Sequence, residues 1–527
     1  MNTDDTLNDA LALHRAGRLA EAVAIYEAIL AVDDDHAGAW LNLGSAQRQS
    51  GDIAKAVASL RRAADLAPDH PGVLFNLGNA LAENDNLREA ERSLRRASEI
   101  DPAFTDAFNN LADVLLRLDR NVEALEILKA GLKAVPDHLG MLINRGNAEH
   151  RLGDIGNAVR HFRRALDLVP GDTRAMRNLG NAMRTSGDLV AAEQALRAAL
   201  SQGPDDTETH CVLAFTLLAQ GQFGAGWREY RWRWQSPEHE PARPFRARWP
   251  EWDGFDSPGR HLLVWGEQAV GDELMFATML PDIARLNLRV TFETEHRLQP
   301  LFQRSFPQWS VIARRTPADP IVERGAFDAQ IALGDLGHLL RPDEAAFAGG
   351  AAYLRADAEE VDRFRTAYQD RAGPRRRVGL AWKSGAEQAG TPRSVPLDAL
   401  VPLLRRDDCW FVNLQYGDVA DELAHLEQAY GVTVFNDPNV DQMNDLDSFA
   451  AQVASLDLVI SSANTTVHMA GALGVPVWVM LSHHHDWRWM QGRENSPWYP
   501  SVRLFRQSDP GAWPDMVERL AAELAAT

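Results

Sequence analysis

Ala39-Trp40-Leu41-Asn42-Leu43-Gly44, then Gly51-Asp52, then Ile53-Ala54-Lys55-Ala56-Val57, then Pro68: this stretch decides the fold of the first half of the chain. It reads as a helix, a tight turn, a second helix and a stop. The pattern returns every 34 residues. A small residue recurs at Ala10, Gly44, Gly78, Ala112, Gly146, Gly180 and Ala214. Alanine follows twelve positions later at Ala22, Ala56, Ala90, Ala124, Ala158 and Ala192, and proline at Pro68, Pro102, Pro136, Pro170 and Pro204. Small side chains let two antiparallel helices approach closely, and a proline after the second helix ends it before the next repeat begins. Such a period specifies an α-solenoid, here in seven copies from about Thr3 to Trp234. The first copy carries Asp34 in place of the proline. The last has Gly226 for its alanine and runs into Trp227, Tyr230, Trp232 and Trp234.

The unit resembles the tetratricopeptide (TPR) repeat, which shares this period and these small-residue and proline positions. Asparagine stands just ahead of the small residue at Asn42, Asn76, Asn110, Asn144 and Asn178, and three residues later at Asn79, Asn147 and Asn181, with Asp113 in the same register. Positions three apart share a helix face, so two amide ladders are expected along the inner groove. An amide donates and accepts, which suits an extended peptide backbone of any sequence. Asparagine is also common at these positions in TPR repeats generally, so the ladders are equally read as part of the motif.

With 527 residues and 45% hydrophobic content, the chain is long enough for several domains. A mean hydropathy of −0.31 implies no membrane span. The acidic start, Met1-Asn2-Thr3-Asp4-Asp5, leads straight into the first repeat and lacks the character of a secretory signal. Two cysteines, Cys211 and Cys409, offer neither a disulfide framework nor a cysteine metal site, and a cytoplasmic location is expected. A net charge of −20 argues against nucleic acid as a partner.

From Gln235 to Gly259 the beat stops; Pro237, Pro241, Pro244, Pro250 and Pro258 interleave with Arg246, Arg248, Trp249 and Trp252, the pattern of a connector. The apolar run His261-Leu262-Leu263-Val264-Trp265 then opens a series of short strands and helices: a helix over 272–286, strands over 289–294, 310–313 and 328–333, and a helix over 298–306. A second series opens with Val378 to Trp382. Its further strands are expected at 410–414, 432–435, 456–461 and 475–481, with helices over 397–405 and 466–473. Alternation of this kind indicates parallel sheets in two α/β lobes, residues 260–370 and 371–527, with a cleft where strand C-termini converge.

Three loops are placed to carry chemistry. In Gly266-Glu267-Gln268-Ala269-Val270-Gly271-Asp272, the carboxylate of Asp272 is read either as a base at the mouth of the cleft or as the cap of the helix it begins. Trp382-Lys383-Ser384-Gly385, with Arg393 shortly after, is read as a diphosphate contact or as solvated loop charge. Ser461-Ser462-Ala463-Asn464-Thr465-Thr466-Val467-His468 ends a strand in small polar residues and begins a helix, either an anion site or a capped helix with a buried His468. Asp445-Leu446-Asp447 reads as a helix cap rather than a metal pair. His483-His484-His485-Asp486 is a weak metal motif.

These loops, with Asp486-Trp487-Arg488-Trp489 and Ser496-Pro497-Trp498-Tyr499-Pro500, resemble the two-lobed GT-B glycosyltransferases over about residues 225–515. The likeness is to bacterial TPR-fused transferases related to heptosyltransferases, and in architecture to the O-linked N-acetylglucosamine transferases. The resemblance implies a pair of Rossmann-like lobes behind the solenoid. It further implies sugar transfer from a nucleotide-sugar donor to a protein acceptor in the TPR groove, inverting and without metal or cofactor. Asp272 then matches the presumed base, and Arg393, with Lys383, the basic contact to phosphate. Ser384, Asn464, Thr465, Thr466 and His468 complete the donor site, although Ala463 and Asn464 replace the family's Asp and Thr. Some TPR-fused transferases modify flagellin, which is the specific acceptor expected here. The alternatives are a TPR scaffold that has lost catalysis, or transfer to a glycolipid or polysaccharide.

Overall fold

The computed structural model describes residues 3–236, 248–255, 258–348, 350–385 and 393–526. It divides into two compact units, Met1–Ala182 and Met183–Thr527. Met1 and Asn2 of the acidic start, and Pro237, Pro241, Pro244 and Arg246 of the connector, lie outside the described residues.

In the first unit, helices of 13 and 14 residues alternate, as in Ala37–Gln49 with Ile53–Leu66 and Pro71–Glu83 with Leu87–Ile100. The small-residue markers are contact points. A Cβ added at Gly44 would fall 2.5 Å from Leu60 Cγ, one at Gly78 2.5 Å from Leu94 Cγ, and one at Gly146 2.5 Å from Phe162 Cε1. Each is too close for a side chain, so the paired helix of the same hairpin sits against bare backbone. The alanine markers Ala22, Ala56, Ala90, Ala124 and Ala158 are fully buried. Between the helices, one residue per repeat takes positive φ, at Gly17, Gly51, Asp85, Asp119, Gly153, Gly187 and Gly221. Glycine adopts that left-handed conformation without Cβ strain, and aspartate is among the few others that tolerate it. The first helix of several repeats is capped by a histidine ring: His36, His70 and His138 accept from Ala39, Val73 and Met141 N–H at 3.2–3.3 Å.

The second unit holds two parallel sheets. The first comprises β1 (His261–Trp265), β2 (Arg289–Thr294), β3 (Ser310–Ala313) and β4 (Ala329–Ala332), in the order β3-β2-β1-β4. The second comprises β5 (Arg376–Ala381), β6 (Cys409–Asn413), β7 (Leu458–Ser462), β8 (Val477–Leu481) and β9 (Val502–Arg506), in the order β6-β5-β7-β8-β9. β4, β7 and β8 are buried throughout, as expected of parallel strands covered on both faces.

Three details differ from the sequence expectation. Residues 432–435 form no strand; Phe435 makes a single bridge to Val412 and stacks on Trp410. The helix expected over 272–286 breaks into Val270–Phe276, a 3-10 turn Ala277–Met279 and Leu280–Ala284, where Pro281 cannot donate to the preceding turn. Pro402 divides the 397–405 segment in the same way, into the 3-10 turn Leu397–Leu400 and the helix Val401–Leu404.

The unit boundary also falls within the sixth repeat and not at Trp234. Trp227, Tyr230, Phe276, Trp487 and Trp498 belong to one buried core, so the last repeat shares its interior with the sheets. Trp227 Nε1 donates to Arg341 O at 2.9 Å, and the buried Arg233 guanidinium joins Glu267 at 2.7 Å and Asp335 at 2.8 Å.

Candidate functional site

In each sheet, chain order reverses direction beside one strand: between β1 and β4 in the first, between β5 and β7 in the second. Loops at such switch points splay apart and leave a crevice at the strand C-termini. The first turn of the helix after β1 carries Asp272, the loop after β5 carries Ser384, and the loop after β7 leads into the helix Thr465–Leu473. These meet around one cavity of about 320 Å³, lined among others by Asp272, Ser384, Arg393, Asn464, Thr465 and His468. The helices from the two lobes approach closely: a Cβ on Gly271 would lie 3.4 Å from both Thr465 Oγ1 and His468 Cδ2.

Asp272 does not cap its helix. Ala269 holds the cap position, and the Asp272 amide donates to its carbonyl at 2.9 Å. The Asp272 carboxylate instead pairs with the Arg488 guanidinium. Arg488 Nη1 also donates to Asp486 Oδ1 at 2.6 Å, and Arg393 Nη2 to Asp486 Oδ2 at 3.1 Å. The result is a chain of alternating charge, Asp272, Arg488, Asp486, Arg393. Burial pushes the Asp486 carboxyl up, but the Arg488 and Arg393 guanidiniums outweigh it and hold the group well below the usual carboxylate range. Burial pulls the Arg488 pKa down, and Asp272 and Asp486 more than reverse this, so it stays charged. A third guanidinium, Arg184 from the sixth repeat, is placed close enough to feel Asp486 and Arg393, and burial lowers its pKa.

Burial and the Arg488 charge push His468 down to about 3, so its ring is neutral. It stacks on Trp489 with centroids 5.5 Å apart, and its Nδ1 lies 3.1 Å from the Tyr499 hydroxyl. Asn464 is used by the fold. Its Oδ1 accepts from Thr466 N–H at 2.9 Å as the helix cap, and its Nδ2 donates to Lys383 O at 2.9 Å, tying the loop after β5 to the loop after β7.

Two expected donor contacts are not brought to the cavity. The Lys383 ammonium pairs with Glu422, and the Lys383 backbone N–H donates to Gln415 Oε1 at 2.7 Å. Thr466 is buried in the first turn of its helix, so Thr465 alone of the two threonines lines the cavity. Asp486, Arg488, Tyr416 and Trp489 line it without having been assigned a role from sequence. The motif Asp486-Trp487-Arg488-Trp489 was the available signal. Nothing in the repeat pattern marks Arg184. A second cavity of about 360 Å³ shares Ala269, Tyr416 and Thr465 with the first and adds Gln268, Arg297 and Arg314.

The other candidates resolve locally. Asp445 accepts from Ser448 N–H at 3.0 Å as a cap, and Asp447 pairs with Arg304 at 2.6 Å. The His485 ring lies against the carbonyls of Met490 at 2.8 Å and His483 at 3.3 Å.

In the first unit the amides interlock across repeats instead of forming two separate ladders. Asn110 Nδ2 donates to Asn79 Oδ1 at 2.8 Å, and Asn178 Nδ2 to Asn147 Oδ1 at 2.9 Å. Where Asp113 interrupts the register, Asn144 donates to Asn109 Oδ1 at 3.1 Å, a residue outside the expected ladders. Asn76 donates to Gly72 O at 2.7 Å within its own helix. Asn79, Asn110 and Asn144 line a cavity of about 540 Å³, with Asn109, Asp113 and Arg117. Asn42, Asn147, Asn178 and Asn181 are not among its lining residues.

Residues 2–213 match the family model described as the C-terminal domain of cilia and flagella-associated protein 70, a TPR domain. The chain is 38% identical over 324 residues to Protein FlbA of Caulobacter vibrioides, a match covering 59% of this chain and 54% of FlbA. It thus spans about half the length of that curated relative. Among solved structures, a TPR protein from Parabacteroides merdae is 14% identical, with a TM-score of 0.41 over 46% of this chain and 95% of its own. The APC/C hetero-tetramer Cut9-Hcn1 is 19% identical, with a TM-score of 0.39 over 45% of this chain and 48% of its own. The chain is a TPR-repeat protein whose C-terminal region carries parallel α/β sheets.

Proposed function

We propose that the second unit is a GT-B-type glycosyltransferase, moving a sugar from a nucleotide-sugar donor to a protein held by the repeats. One observation carries this reading: a single cavity at the switch points of two parallel sheets collects Asp272 from one lobe and Ser384, Arg393, Thr465 and His468 from the other. Two guanidiniums and a helix N-terminus suit a diphosphate, whose charge grows as it leaves. Asp272 is the carboxylate that takes the acceptor proton. The groove amides recognise an extended acceptor segment, for which flagellin is the specific candidate. The scaffold reading draws its support from Arg488, which occupies the carboxylate that catalysis requires.

Calorimetric titration with UDP, CMP, ADP and GDP tests the proposal. One nucleotide binds, and Arg393→Ala weakens it at least about tenfold, the loss of a charge-assisted contact. A folded sample that binds none of the four leaves the scaffold reading standing.

A further inference from the structure

Arg488 holds the carboxylate that the reaction needs free. The guanidinium N–H already occupies a carboxylate oxygen that an acceptor hydroxyl has to reach, so a site arranged as the structure shows it is not ready to remove a proton. The two ends of Arg488 are held unequally. Toward Asp486 it is anchored twice, by Nη1 at 2.6 Å and by its backbone N–H at 3.1 Å. Its guanidinium also lies 4.8 Å from the Trp487 ring centroid, and Trp498 Nε1 fixes its carbonyl at 3.1 Å. Asp486 is bound by Arg393 as well and is the less exposed of the two carboxylates, with 13% of its side chain accessible against 23% for Asp272. Water replaces a guanidinium more readily at Asp272 than at Asp486. The Asp272 end is therefore the one that lets go.

We propose that Arg488 is a positioning residue that passes from Asp272 to the diphosphate when the donor binds, so that donor binding itself frees the base. This rests on the donor-site reading above. Arg488, Thr465 and Asp272 line the same cavity, so an anion at the helix N-terminus competes directly for the guanidinium. Arg488 keeps Asp486 throughout and is never left as an unpaired buried charge. The arrangement imposes an order, with donor before acceptor deprotonation.

The test is calorimetric binding of inorganic pyrophosphate to the full chain, in a double-mutant cycle of Asp272→Asn and Arg488→Gln. Asp272→Asn is expected to bind about five- to tenfold more tightly than wild type, because the anion no longer has to break the ion pair. Arg488→Gln is expected to bind at least about tenfold more weakly. In the Arg488→Gln background, Asp272→Asn is expected to change nothing. That last comparison separates hand-over from simple removal of a negative charge, which would tighten binding in both backgrounds. If Arg488→Gln fails to fold, Arg488→Lys serves instead, since an ammonium lacks the two-ended fork. Tightening that persists without Arg488, or no tightening in Asp272→Asn, overturns the proposal while leaving the donor site intact. A wild-type chain that binds neither pyrophosphate nor any nucleoside diphosphate overturns the donor-site reading and this proposal with it.

Discussion

Glu293 in β2 is 1% exposed, and among the described residues its Oε2 has no hydrogen-bond partner. Burial pushes its carboxyl up to about 7; Arg314 opposes the shift, and Glu273 and Asp319 add to it. The folded value exceeds the unfolded one of about 4.3, so the folded state binds the proton more tightly. The stability this contributes is complete below about pH 4.3 and is lost as pH rises through about 7. Glu293→Gln should remove that slope. Measured by urea denaturation with tryptophan fluorescence, the variant should gain about 2 kcal/mol over wild type between pH 5 and pH 8. An unchanged difference at the two pH values would show that Glu293 ionises normally. Comparing the two proteins cancels His468, whose depressed value has the opposite sign: its contribution is present above about 6.5 and lost as pH falls toward 3.

The helical hairpins depend on one left-handed residue each. Asp119 takes φ 58° where five other repeats have glycine, and its exposed carboxylate accepts from Asn121 Nδ2 at 2.8 Å. Asp119→Gly should raise stability by about 0.5 kcal/mol, backbone strain relief being partly offset by the entropy glycine loses on folding. Gly51→Ala, with φ 88° and open space around the added Cβ, should lower it by about 1 kcal/mol through the backbone alone. Urea midpoints of the two variants on opposite sides of wild type are the expected result. The helices and their spacing were legible in the sequence, since the small residue recurs in all seven copies and the proline in five; the turns were legible where glycine marks them, as at Gly51, and not at Asp119. The histidine caps were not, because His at a cap position has no strong sequence signature. Short segments in the α/β lobes were legible where apolar runs were long, as in β1 and β8. They were not where a proline sat inside a helix, nor at β9, Val502–Arg506, for which no strand was expected.

For the whole molecule, the sixth repeat and not the connector is where compactness changes. Arg233 ties the last repeat to Glu267 and Asp335 with side chains 4%, 1% and 2% exposed. Removing it strands two buried carboxylates, a cost of about 3–5 kcal/mol. A chain beginning at Met183 should fold, giving a cooperative urea transition and the nucleotide affinity of the full protein. One beginning at Gly259 loses Trp227, Tyr230 and Arg233 and should be insoluble or lack a cooperative transition. Equal folding of both would place the structural boundary where the sequence pattern ends.

The sequence by itself determined the solenoid, because each repeat satisfies its helices through neighbours close in the chain and so repeats its rule visibly. It also marked the loops after β1, β5 and β7, since strand ends carry glycine and small polar residues for local reasons. Only the tertiary structure decided which charges meet there. Asp272 and Arg488 are 216 residues apart, and Lys383 turns to Glu422 rather than to the cavity. Ion pairing depends on where remote backbones bring side chains together, and no local spacing encodes that.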